Sequence, residues 1–232
     1  NGKPMKTENY YKFSQNGAQD NELLFVVGNP GSSQRLKTVA QLEFYRDVVY
    51  KNNSFVLNRL FSIYDELIAE EPAKADEYRG QQFFIGNSAK VFKGVLEGLQ
   101  DPLFMARKKD FEKNLKDAVN AKPELKEKYG HLWEGIQQTR NELRKFAAES
   151  SAFSANPRTS PSYVATARKL LALAANLKKA EADRDADYKA DKLEATINKL
   201  YPAQTNVSMD HKLTEMMADF MIMNLGKENP LV

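Results

Sequence analysis

The sequence predicts a mainly α protein, an irregular bundle of roughly seven to nine helices preceded by one or two short β-strands. Three observations carry that expectation. From Thr38 onward apolar residues recur at the three- and four-residue spacing of amphipathic helices, with Pro and Gly as punctuation. Ahead of them, Leu23-Leu24-Phe25-Val26-Val27 is the one run that reads as a buried strand, and it leads into the turn Gly28-Asn29-Pro30-Gly31. No fixed-period repeat links the helical segments, which disfavours a regular solenoid. Because a lone strand or hairpin is barely stable in water, the sheet to which residues 23–27 belong is expected to lie largely outside this chain.

Taken in order, Asn1-Gly2-Lys3-Pro4 reads as a turn, and Tyr10-Tyr11-Lys12-Phe13 alternates enough for a short strand. Gly17 and Asp20-Asn21 break the chain before the strand at 23–27, and the boundary to helical sequence falls near Arg35. Thr38 is a plausible N-cap for a first helix ending at Asn52-Asn53, after which Ser54 caps a second that stops at Glu71-Pro72. A third begins at Pro72 and carries Gly80, Gly86, Gly94 and Gly98, whose number predicts close helix packing or bends. Asp101-Pro102 supplies an N-cap and first-turn proline for the next, and Pro123-Glu124 opens another. Leu132 to Phe146 forms a stripe that decays into Glu149-Ser150-Ser151 and a Ser- and Pro-rich loop at residues 154–162. Tyr163 to Ala182, Leu193 to Leu200, and Met209 to Leu225 are the remaining helices, the last stopped by Gly226.

With 232 residues, 42% of them hydrophobic, the chain can form one large or two ordinary domains around a sizeable core. Its 34 basic and 31 acidic residues nearly cancel, and no basic block stands out, so nothing calls for a nucleic-acid partner. The absence of cysteine excludes disulfides, thiolate nucleophiles, zinc–thiolate sites and iron–sulfur clusters. No apolar run approaches the ~18–20 residues that cross a bilayer. The first residue is Asn rather than Met, and the last residues turn apolar as the sequence stops, so both ends read as cut.

Four stretches hold residue types that could carry chemistry. The turn Gly28-Asn29-Pro30-Gly31-Ser32-Ser33 could aim backbone N–H groups at a phosphate, but its spacing matches neither the Walker nor the dinucleotide pattern and Pro30 removes a donor, so a structural turn is preferred. Asp183, Asp185, Asp187, Asp191 and Glu194 imitate a calcium loop, yet Tyr188 stands where the sharp turn needs Gly, which favours a solvated helical face over a metal site. His131 and His211 read as surface or capping residues, with no Gly-x-Ser-x-Gly elbow to make a triad. Met209, Met216, Met217, Met221 and Met223 could form an adaptable binding face, but methionine at helical spacing is more often core. No catalytic, metal or cofactor-binding residue is therefore assigned.

Two blocks carry a family resemblance. Asn1-Gly2-Lys3-Pro4 and Phe25-Val26-Val27-Gly28-Asn29-Pro30-Gly31-Ser32-Ser33-Gln34-Arg35-Leu36 with Thr38-Val39-Ala40-Gln41-Leu42-Glu43-Phe44, and Ile85-Gly86-Asn87-Ser88-Ala89-Lys90 with Gly94, Gly98-Leu99 and Ala106-Arg107-Lys108, together resemble the middle of bacterial dipeptidyl aminopeptidases of serine peptidase family 46, dipeptidyl peptidases 7 and 11 among them. The resemblance runs over essentially the whole chain. It implies a chymotrypsin-like double β-barrel interrupted by a large helical domain that caps the active-site cleft. On that basis residues 1–35 are expected to be strands from the edge of the barrel and 36–232 the cap, truncated at its C-terminal end. The family's catalytic His and Asp lie upstream of the matched region and its Ser downstream, so no triad residue carries over and the chain alone is expected to be inactive. The resemblance also implies a peptide substrate and a missing catalytic barrel as partners, a periplasmic or cell-surface location, and no cofactor, and it leaves a homodimeric parent open. Gly28, Asn29, Pro30, Gly31 and Arg35 are the expected hinge or anchor between barrel and cap. The competing class is a stand-alone helical interaction module with apolar grooves for a partner peptide.

Overall fold

Thr38 starts the helical body. Its Oγ1 accepts the Gln41 N–H at 3.3 Å while the Gln41 side chain accepts the Thr38 N–H at 2.9 Å, a capping box that satisfies two donors a helix start leaves unpaired. Helix α1 (Val39–Phe44) passes into a π-helical stretch, Tyr45–Tyr50, and then without interruption into α2 (Lys51–Glu70). The break expected at Asn52-Asn53 does not occur: helical geometry continues through it, and Ser54 accepts a hydrogen bond from Asn58 at 3.2 Å instead of capping a new helix. The computed structural model describes residues 4, 6–12, 14–29, 31–154, 156, 159–200 and 205–232.

Beyond a short 3₁₀ turn at Pro72–Lys74 comes α3 (Ala75–Gln100), then α4 (Pro102–Asn120), whose N-cap Asp101 accepts the Leu103 N–H at 2.8 Å. The chain continues through α5 (Pro123–Tyr129), α6 (Leu132–Ala152), α7 (Ser162–Leu177), α8 (Ala190–Asn198) and α9 (Val207–Leu225). Asn206 caps α9 through the Met209 N–H at 2.9 Å, and Gly226 ends it at φ 85°, a conformation that costs a side-chain-bearing residue dearly. Two sequence expectations are corrected here. Of the four α3 glycines only Gly86 meets a neighbour, the Phe61 ring, so the other three mark open helix surface, and α3 runs unbroken past all four. Residues 181–188 form two 3₁₀ turns rather than a helical face, because the Asn176 side chain accepts the Asp185 N–H at 3.0 Å and its amide donates to the Asp185 carboxylate at 3.2 Å, pinning the chain away from helical geometry.

The core lies where α2, α3 and α9 meet. Leu60, Ile63 and Leu67 of α2 pack with Tyr78 of α3 and with Leu213 and Met216 of α9, so at least Met216 is core as expected. Ile63 and Leu67 are wholly enclosed, each worth about 2 kcal/mol of burial. Tyr78 ties the three helices by polar contacts as well: its hydroxyl donates to Glu71 at 3.0 Å and accepts from the α9 cap Asn206 at 2.9 Å. On the other flank α1 packs on α6, where the Arg140 and Arg144 guanidinium groups lie 5.3 and 5.7 Å from the Phe44 ring centre.

Residues 37–232 form one compact unit and residues 1–36 another. Among the described residues of the second unit no strand forms, so the β-strands expected at 10–13 and 23–27 are not confirmed, and Phe13 lies outside the described residues. Leu23, Leu24, Phe25, Val26 and Val27 are 61–97% exposed, and no described segment pairs with their backbone. A strand exists only by its ladder, and propensity alone cannot supply one. Local turns are what order this unit: the Glu22 N–H donates to the Gln19 carbonyl at 3.2 Å, and Gly17 and Asn21 take left-handed φ values of 68° and 64°.

Candidate functional site

The helical unit has a cleft of about 480 Å³, in the range of small-ligand pockets. One wall is apolar, built by Val48 and Val49 of the π-helical stretch, Val56 and Leu57 of α2, Phe92 of α3, and Met216, Met217 and Phe220 of α9. Aromatic pairs brace it, with Tyr50 stacked obliquely on Phe92 and Phe55 on Phe220, both at 5.8 Å between ring centres. The rest of its described lining is polar and uncharged: Asn52 and Asn53, Ser88, Ser151 and Ser154, Thr159 and Ser160, with Asn156. Val48, Asn52 and Val56, spaced by four, share one helix face, and with Val49 all line this cavity.

Several charged groups of the unit join one helix to another. Lys212 of α9 lies 2.8 Å from both Glu66 and Glu70 of α2, and Arg59 joins Glu66 from two turns back. Hydrogen bonds from Lys212 and then Arg59 hold the Glu66 carboxyl below its ordinary range, and those to Glu66 and Glu70 hold the Lys212 ammonium above its own. Burial pushes Asp47 up, but hydrogen bonds from Arg46 and Arg144 outweigh it and leave its carboxyl below the usual value. A smaller cleft of about 330 Å³ opens between α4 and α6 beside Trp133, where Glu112 accepts the Val39 N–H and pairs with Lys116.

Of the junction residues singled out from sequence, Gly28, Asn29, Gly31 and Arg35 all lie exposed in the first unit, and Pro30 falls outside the described residues. A side chain at Gly28 or Gly31 would meet nothing, and neither glycine takes a left-handed φ. No hydrogen bond or ion pair draws the described four together. His131 sits exposed at the start of α6 without capping it, and His211 has its Nδ1 3.7 Å from Glu215. Among the described residues no cluster of three or more His, Asp or Glu is placed to hold a metal ion. Sequence reading missed Asn52 and Ser160. Asn52-Asn53 looked like a helix end, and no pattern in one sequence reveals that this asparagine lines a cavity.

Comparison with known proteins places these helices in a family. The Peptidase S46 family model matches residues 1–232. An Asp/Glu-specific dipeptidyl-peptidase of Shewanella putrefaciens is 22% identical over 185 residues, covering 80% of this chain and 25% of that protein. The chain thus spans about a quarter of the length of that relative. No solved structure matches. Among the described residues no helix is long and apolar enough to cross a membrane. With the family model matched from the first residue to the last, the chain belongs to the Peptidase S46 family.

Proposed function

We propose that the chain is the helical cap of a serine exopeptidase that releases dipeptides from peptide amino termini, with residues 36–232 as the cap and 1–35 as strands at the edge of a chymotrypsin-like barrel. The observation that carries this reading is the family match over all 232 residues of a chain that covers a quarter of a dipeptidyl-peptidase and folds as helices. Support comes from surface left uncovered: Phe83, Phe84 and Val91 of α3 and Leu103 and Phe111 of α4 are exposed, as are all five residues of the 23–27 run, which suits contact with further polypeptide. In this reading the cap limits access to short unblocked peptides and closes over them, and Gly28, Asn29, Pro30, Gly31 and Arg35 form the hinge or anchor. Catalysis, His-assisted attack by Ser on a peptide carbonyl, belongs to residues outside this chain. The parent is periplasmic or at the cell surface, and a homodimer is compatible with the reading.

Dipeptidyl-naphthylamide cleavage tests it. The 232-residue chain is expected to release no naphthylamine, and the longer protein from the same reading frame to release it. Cleavage by the chain alone, or a reading frame lacking an upstream His/Asp barrel half and a downstream catalytic Ser, would overturn the assignment. Hydrogen exchange tests the hinge: residues 28–35 as protected as the barrel core, with and without substrate, would remove it. The second reading, an interaction module, draws on the cleft with its methionine wall, and inactivity of the longer protein would favour it.

A further inference from the structure

Helix α4 carries five basic residues, and the structure divides them. Lys109 pairs with Glu43 of α1, Lys113 with Asp117 and Lys116 with Glu112. Arg107 and Lys108 meet no carboxylate among the described residues, and the Lys108 ammonium lies instead 5.5 Å from the centre of the Phe104 ring. These two cations border an uncovered ridge. Phe104, Phe111 and Leu115 are 39%, 54% and 43% exposed, while Met105, one residue further round the helix, is buried. Positions 104, 108, 111 and 115 follow one another by four, three and four residues, so they fall in a single line about 16 Å long. A helix that faces a core shows a broader stripe; a line this narrow is the seam that a second helix fills, and a lysine within it sets partner and register by calling for opposite charge. A second copy of the chain would bring the same two cations to the same seam, and like charges brought together oppose association. Anionic lipid surfaces are read by clusters of about four to eight Lys or Arg, whereas three of the five on α4 are already paired. The matched segment makes up 25% of the Shewanella putrefaciens peptidase, and a protein on that plan has ample further polypeptide to supply a helix.

We propose that the α4 ridge seats an acidic amphipathic helix of the same polypeptide, from outside residues 1–232, whose aliphatic side chains fill the spaces between Phe104, Phe111 and Leu115 and whose Asp or Glu side chains pair with Arg107 and Lys108. The inference rests on the reading of this chain as part of a longer peptidase, and it states what the remainder must bring to this face.

The test sets the longer protein from the same reading frame beside the 232-residue chain, which has no cysteine of its own. Leu115→Cys is expected to react with a maleimide roughly tenfold more slowly in the longer protein, read by mass on the peptide that carries the thiol. Asn114→Cys, exposed beside the ridge, is the second reporter should the first variant fail to fold. In the longer protein Arg107→Glu with Lys108→Glu is expected to raise that rate roughly threefold or more, and in the 232-residue chain to leave it unchanged, since neither cation is paired there. Carbodiimide, which joins an ammonium to a carboxylate in contact with it, is expected to link Lys108 within one molecule to an Asp or Glu of a segment with helical apolar spacing outside residues 1–232. Equal labelling in the two proteins, a rate blind to the charge reversal, or a Lys108 that links to no such segment, or only to a second copy, would each overturn the assignment. So would phosphatidylglycerol vesicles that bind the 232-residue chain and shield its ridge from the maleimide. Naphthylamide cleavage separates this from the exopeptidase reading: an active longer protein with an open ridge removes the inference alone, whereas a covered, charge-sensitive ridge in an inactive one removes the exopeptidase reading and keeps the helix.

Discussion

Two residues show how polar groups tie α2, α3 and α9 together. Tyr78 is 5% exposed, and burial, then its hydrogen bond to Glu71, raise its phenol above the ordinary value, so at neutral pH it stays protonated and can both donate and accept. Tyr78→Phe leaves the Asn206 amide short of a partner and is expected to cost about 1–2 kcal/mol in urea melts. If Asn206 acts through this hydroxyl, Tyr78→Phe with Asn206→Ala costs less than the sum of the single changes, and strict additivity would refute the link. Lys212 works by charge. Glu66 has a lowered folded value, so its contribution is present above the unfolded carboxylate value of about 4.3 and is lost as pH falls through the folded one; Lys212 has a raised value, so its contribution is present below about 10.4 and is lost as pH rises through the folded one. The difference in melting temperature between the parent and Lys212→Met should therefore be widest at neutral pH, narrow at both extremes, and shrink in high salt, because the pairs are partly solvent-exposed. A difference independent of pH would assign the effect to the apolar stem of Lys212 instead.

Elements differ in how much of them a sequence reveals. The capping signals at Thr38 and Asp101 and the stop at Gly226 act within a few residues, and each appears where local chemistry places it. Glycine in α3 is the opposite case, since its meaning depends on what stands across from it. Only Gly86 faces a neighbour; a Cβ there would come within 2.9 Å of the Phe61 ring. Gly94 and Gly98 face nothing, so Gly94→Ala should gain the helix propensity that glycine forfeits, about 1 kcal/mol, with no clash to offset it. Thermal melts of the 232-residue chain check this: an unchanged or lower midpoint would mean that the α3 surface is already covered. The π turn was illegible for a related reason. Its sequence, Tyr45-Arg46-Asp47-Val48-Val49-Tyr50, has no Gly or Pro, and the contacts it makes with the rest of the unit are tertiary, among them Arg144 to Asp47 at 2.9 Å and the Tyr50–Phe92 ring pair. The cleft built on that turn was hidden for the same reason.

On the scale of the whole molecule, the two units differ in what holds them. The helical unit has an enclosed core and its own first cap at Thr38, which needs only residues 38–41. In residues 1–36 the large apolar side chains among those described, Tyr10, Tyr11, Leu36 and the 23–27 run, are exposed, and the backbone has no ladder. Proteolysis follows unpaired backbone, so brief treatment of the 232-residue chain should cut first within residues 6–36 and leave a helical product with an unchanged melting midpoint. In the longer protein proposed above the pattern should change in a position-specific way. If residues 23–27 enter a barrel sheet there, ladder hydrogen bonds close that run to cleavage, while residues 28–35, as a hinge, stay open to it. Cutting within 23–27 at equal rates in both proteins would deny the strand its sheet. Resistance across 28–35 in the longer protein would make the junction an anchor and leave closure of the cap to another segment.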